Sequence, residues 1–141
     1  MRIIYLLFLA LFIYGCGGSA IDPLNMAKDT LTNSSWYISD SCIDEYAKYE
    51  FGDNSYEKTI YKTQNLDSID KKISDKVEYT TTLQVAIYEG SEIFDCTVTN
   101  KDQNGSVSLV CLKRGSVGYS VIKTLWDDKN KAIDNTNTNC Q

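Results

Sequence analysis

The sequence contains no histidine. That absence removes the commonest general base near neutral pH and the commonest ligand of transition metals. Serine or cysteine nucleophiles activated by histidine are excluded with it. Zinc held by cysteine alone is excluded by spacing. Cys42, Cys96, Cys111 and Cys140 are separated by 54, 15 and 29 positions and form no Cys-x-x-Cys pair. No phosphate loop is present, because Gly15-x-Gly17 falls in an apolar leader. Basic residues are the minority, 14 against 19 acidic ones, for a formal net charge of -5. An acidic chain repels nucleic-acid phosphates and gains nothing from an anionic membrane surface. Adjacent carboxylates such as Asp44-Glu45 and Asp127-Asp128 read as solvated surface charges. Asp127, Asp128 and Asp134 lack the calcium-loop spacing and its glycine. No catalytic residue, no metal site and no cofactor is assigned.

What is present suits one domain: 141 residues, 43% hydrophobic and 23% charged, which argues against disorder. Met1-Arg2 gives a minimal positive start, and Ile3 to Tyr14 then run almost unbroken apolar. Twelve helical residues span about 18 Å, too short for a hydrocarbon layer of about 30 Å but suited to a signal peptide. Ile13-Tyr14-Gly15-Cys16 closes the run. It resembles the bacterial lipobox, in which an aliphatic residue, a variable one and a small one precede the cysteine that receives diacylglycerol. Tyr14 is bulkier than usual at its position. The resemblance implies cleavage before Cys16, palmitate-type acylation of Cys16 and membrane attachment through several acyl chains. It also implies the outer membrane of a Gram-negative bacterium, since Gly17 stands where an inner-membrane retention signal would have Asp. Loss of Arg2 with the leader makes the mature chain about one charge more acidic. The expected division is a signal peptide over 1–15, a lipidated tether over 16–22 and one β-rich domain over 23–141.

With Cys16 acylated, four cysteines remain, an even number that reads as two disulfides in an exported protein. Phe94, Cys96 and Val98 share one strand face, as do Val107, Leu109 and Cys111. Between them, Lys101-Asp102-Gln103-Asn104-Gly105 ends in a strong turn signal. A four-residue loop at 102–105 opposes Cys96 to Cys111, within reach of a disulfide. A two-residue Asn-Gly turn would instead oppose Cys111 to Val98. Cys42–Cys140 follows by elimination and would hold a polar C-terminal tail.

Asp22-Pro23 reads as a cap and first turn of a short helix over 23–31, with Leu24, Ala27 and Leu31 at helical spacing. Strands are expected over 36–39, 47–51, 56–61, 77–88, 91–99, 106–112 and 118–126, with 46–61 a hairpin. Residues 62–76 read as a polar loop with one or two helical turns, from the spacing of Leu66, Ile69 and Ile73. Residues 127–141 read as an acidic, Asn- and Thr-rich tail. The predicted fold is mainly all-β: an antiparallel meander of about seven strands forming a small barrel or a sandwich, with a short N-terminal helix. An immunoglobulin-like sandwich and a barrel are both open at this point. Ten tyrosines are many for this length; strand propensity accounts for them better than a binding surface does.

Leu31, Trp36, Cys42 and Phe51-Gly52-Asp53-Asn54-Ser55-Tyr56 resemble the opening of small lipocalin-like bacterial lipoproteins, with Ser35 replacing the usual glycine before the tryptophan. The resemblance covers about a fifth of the chain. It implies an up-and-down barrel able to hold a small apolar ligand. Asp102-Gln103-Asn104-Gly105-Ser106 resembles the extended N-glycosylation sequon of certain Gram-negative bacteria, which makes Asn104 a candidate for modification. Gly118-Tyr119-Ser120 is similar to a loop of known lysozyme inhibitors, too loosely to assign residue roles.

Two functional expectations follow. One is a non-enzymatic binding or interaction module at the cell envelope, adhesin-like or an accessory subunit of an envelope complex, with a protein partner and no nucleic acid. The other is a lipocalin-like carrier of a small apolar ligand, or an inhibitor of a basic host hydrolase such as lysozyme, which an acidic protein would attract.

Overall fold

A computed structural model describes residues 26–140. The assigned leader, Cys16, the tether and the Asp22-Pro23 helix start lie outside the described residues. The chain runs α1 (Met26–Thr32), β1 (Ser35–Asp40), β2 (Glu45–Phe51), β3 (Ser55–Tyr61), β4 (Ile69–Tyr79), β5 (Gln84–Glu89), β6 (Glu92–Val98), β7 (Ser106–Lys113), β8 (Ser120–Trp126) and α2 (Lys129–Asp134). Each strand pairs antiparallel with the next, and the sheet closes into a barrel. Closure settles barrel against sandwich.

There are eight strands, one more than the sequence pattern suggests. The extra one is β4, in the segment expected as a loop with helical turns. Its first eight residues are exposed or half-exposed on both faces, so no apolar alternation marks them. Leu66 is buried in the preceding turn with a left-handed φ of 52°, not in a helix. The expected strand 77–88 is in fact two strands. Thr80 to Leu83 form a turn, with Gln84 N–H donating to the Thr81 carbonyl at 3.3 Å. Four turn residues preserve the alternation, so Val77 and Tyr79 face inward opposite Ile87 and Val85. That hidden parity is why the pair reads as one strand. The C-terminal tail also contains α2, begun by Asp128, whose side chain accepts from Asn130 and Lys131 N–H.

Both disulfides are formed: Cys96–Cys111 and Cys42–Cys140. The four-residue loop holds, with Cys96 opposite Cys111 and Val98 opposite Leu109. Gly105 in that loop has φ +88°, a left-handed backbone that favours glycine, and an added Cβ would meet the Asp127 carboxylate.

The barrel wall meets itself weakly. Between β1 and β8 one pair is formed, Tyr37 with Trp126. The tail then clasps β1: Asn137 N–H donates to the Ser39 carbonyl, and Ser41 N–H to the Asn137 carbonyl. Cys42–Cys140 fixes this clasp covalently.

The barrel's two ends differ. Turns 52–54, 80–83 and 99–105 lie at one end, where α1 packs. Its Ala27 and Leu31 are buried, Ala27 N–H donates to the Thr82 carbonyl at 2.8 Å, and Lys28 pairs with Asp53 at 2.8 Å. The Trp36 indole N–H donates to the Leu31 carbonyl at 2.9 Å, which ties helix to barrel. Above the helix the interior is filled by Trp36, Ile38, Val85, Val98, Val107, Leu109 and Leu125. Tyr49 and Phe51 stack there and Tyr56 tilts against both, with ring centres 5.6–6.0 Å apart. Turns 41–44, 62–68, 90–91 and 114–119 surround the other end, the mouth.

Candidate functional site: a buried ionic cluster in the barrel mouth

Side chains of a strand alternate between its faces. Glu45 is in phase with buried Ala47, Tyr49 and Phe51. Lys58 follows buried Tyr56, Glu89 follows buried Val85 and Ile87, and Lys123 precedes buried Leu125. Alternation therefore turns four charged residues inward, each on a different strand and each toward the mouth.

They meet there. Lys58 Nζ lies 2.6 Å from Glu45 Oε1, and Lys123 Nζ lies 2.9 Å from Glu45 Oε2. The Tyr49 hydroxyl donates to Glu45 Oε1, and Lys123 Nζ donates to the same hydroxyl oxygen at 3.3 Å. Both ammonium groups also sit over the Tyr49 ring, 5.0 and 5.8 Å from its centre. Glu89 Oε1 stands 3.7 Å from Lys58 and 3.6 Å from Lys123. Side-chain exposure is 10–13% for Glu45, Lys58 and Lys123, and 28% for Glu89. Glu45, expected as a solvated surface charge beside Asp44, is thus buried; the barrel interior, not its outer surface, receives it.

Burial pushes the Glu45 carboxyl up, but Lys123 and Lys58 at its two oxygens outweigh that and hold it at about 2 against an ordinary 4.5. Burial pulls Lys123 down, and Glu45 and Glu89 more than offset it, leaving it raised. Tyr49 is driven well up, first by burial and then by the neighbouring carboxylates. At neutral pH Glu45 is therefore a carboxylate, Lys123 an ammonium group and Tyr49 a neutral phenol.

Above the cluster is an open cavity of about 290 Å³. Phe94, Tyr119, Val121 and Ile43 supply apolar wall, and Asp44 and Glu92 supply charge at the rim. A wider hollow of about 530 Å³ lies outside the barrel beside Asn104 and Trp126. Its one charged group, Lys131, is already paired with Asp127 at 3.1 Å. The mouth is the better candidate because its charges are buried and converge.

The sequence-derived candidates lie elsewhere. Asn104 is exposed on the 99–105 turn, at the helix-capped end. Asp102 accepts from Asn104 N–H at 2.9 Å and Ser106 N–H at 2.8 Å, so the acidic residue of the sequon-like motif braces the loop. Asp127 pairs with Lys101 and Lys131, and Asp128 caps α2; among the described residues no carboxylate or cysteine group is arranged to hold a metal. Cys96–Cys111 is inside the barrel, whereas Cys42–Cys140 is at the mouth rim. Sequence reading missed Lys58, Glu89 and Lys123 altogether. The signal that could have found them is a charge standing where strand alternation calls for an apolar residue.

Comparison of the chain with protein-family models, with curated proteins and with solved structures found no match.

Proposed function

We propose that this chain is a non-enzymatic, lipid-anchored lipoprotein of the Gram-negative envelope that binds a partner at its barrel mouth. The observation that carries the reading is the buried Glu45–Lys58–Glu89–Lys123 cluster at the end that, among the described residues, no helix covers. Burying charge is costly, and a filled apolar barrel has no structural need of four charges at one end. Perturbed ionisable groups grouped in a cleft are a candidate binding site. The cluster does not suit acid–base catalysis. Glu45 is held at about 2, far from the working range of a general acid or base near neutral pH, and its oxygens are occupied by lysines.

Polarity supports the geometry. Met26 opens α1 at the end opposite the mouth, so an anchor at Cys16 would join the described domain from that end. Exported disulfides fit an oxidising compartment. A photo-crosslinking residue at Tyr119 in the mouth, compared with one at Asn33 beside α1, tests the assignment in the native host. Discrete crosslinks from Tyr119 and none from Asn33 are expected. Crosslinks confined to Asn33 overturn it. Palmitate labelling lost in Cys16→Ala tests the anchor.

A second reading is favoured by the acidic rim of Asp44, Glu89 and Glu92: inhibition of a basic hydrolase such as lysozyme. Its test is lysozyme turnover with and without the soluble domain. A carrier of a purely apolar ligand has less support, since the barrel interior is occupied by side chains and the mouth cavity is charged.

A further inference from the structure

The mouth cluster is incomplete in its hydrogen bonding, and the gap has a definite chemistry. Glu45 is saturated: two ammonium groups and a phenol converge on its two oxygens. It presets the lysines. Lys58 carries three donors. Among the described residues only Glu45 Oε1, at 2.6 Å, is an acceptor within its reach. Glu89 pairs with both lysines only through long ion pairs, at 3.7 and 3.6 Å, which a closer carboxylate could replace. The cavity therefore offers spare lysine donors on its floor and, at its side, a carboxylate held only by long ion pairs.

Net charge decides which ligand suits it. A simple anion would reach Lys58 but would face Asp44, Glu89 and Glu92. A simple cation would reach Glu89 but would face two buried ammonium groups. A molecule carrying both charges meets each with its opposite. The volume of about 290 Å³ is at the small end of ligand sites and suits a molecule of roughly ten heavy atoms. Phe94, Tyr119 and Val121 give that molecule an apolar wall.

We propose that the mouth cavity binds a small zwitterion of the α-amino-acid type with an apolar side chain. Its carboxylate accepts from Lys58 and Lys123 in the place Glu89 overhangs, and its ammonium donates to Glu89. This rests on the mouth being the binding end.

Titration of the folded protein with L-leucine, followed by the NMR signals of Val121, Lys123 and Glu89, tests it. N-acetyl-leucine, which lacks the ammonium, and leucinamide, which lacks the carboxylate, are the controls. Saturable shifts with leucine are expected, weakened at least about tenfold in either control, since each control forfeits charge-assisted hydrogen bonds. Glu89→Gln, a half-exposed position with little risk to folding, is expected to weaken leucine while strengthening N-acetyl-leucine, which no longer faces the Glu89 charge, so that the preference for leucine is lost. No saturable shift with leucine overturns the proposal. So does equal binding of all three compounds, and so does binding of leucinamide alone, which would mark a plain cation site. If leucine fails while Tyr119 still crosslinks a partner protein, the zwitterion falls and the mouth assignment stands. If crosslinks come from Asn33 alone, the mouth assignment falls.

Discussion

At the capped end of the barrel, Ala27, Leu31, Trp36 and Leu125 form one apolar cluster, each 1% exposed or less. At the mouth, the same inward-facing row of positions holds Glu45, Lys58, Glu89 and Lys123. Both regions are buried, yet for opposite reasons. Apolar burial is favourable wherever it occurs. Buried charge is tolerated only when each group finds a partner, and its geometry is then fixed by those partners. Burial alone therefore does not locate a site in this molecule; the kind of atom buried does.

The largest effect is expected at the capped end. Trp36→Ala removes a fully buried side chain and the indole bond to α1, and is expected to cost about 3–5 kcal/mol in urea unfolding. Glu45→Gln comes next. It leaves Lys58 and Lys123 buried beside a neutral amide, with an expected loss of about 3 kcal/mol. Its pH profile separates it from a packing defect. The folded Glu45 pKa of about 2 lies below the ordinary 4.5. The stability it contributes is thus complete above 4.5 and is lost as pH falls toward 2. Urea midpoints across that range are expected to fall more steeply for the wild type than for Glu45→Gln, while Trp36→Ala keeps the wild-type slope.

How far the sequence foretold these two regions follows from the same contrast. Helix α1, strands β1 to β3 and the β6–β7 hairpin announce themselves through apolar alternation, a tryptophan and an Asn-Gly turn. The hairpin register even carries the Cys96–Cys111 pairing. Strand β4 does not, because Asp70, Lys71, Lys72, Asp75 and Lys76 are solvated and its neighbours hold it through the backbone. The mouth cluster was illegible for a different reason. Each of its members lies on a separate strand, so no local spacing joins them; only closure of the sheet does.

The two disulfides sharpen the picture further. Cys96 and Cys111 are each 1% exposed, whereas Cys140 is exposed. Under mild reductant, alkylation followed by mass spectrometry is expected to label Cys42 and Cys140 first. Replacing both of these with serine is expected to cost about 2–5 kcal/mol, since the bridge closes a long loop. Labelling of Cys96 before Cys140 would contradict the burial contrast. The smallest effect belongs to the surface of the capped end. Lys28→Ala removes the pair with the exposed Asp53 and is expected to change stability by less than ~1 kcal/mol, an effect that fades in high salt.

The Cys42–Cys140 bridge makes a covalent ring of everything from residue 42 to residue 140, and β1 is the one stave of the barrel outside that ring. A pull arriving through the N-terminal side meets α1 and β1 first. Those two can peel away, surrendering the Tyr37–Trp126 contact and the clasp at Asn137. There the unravelling stops, because residue 42 is the knot beyond which the thread cannot run.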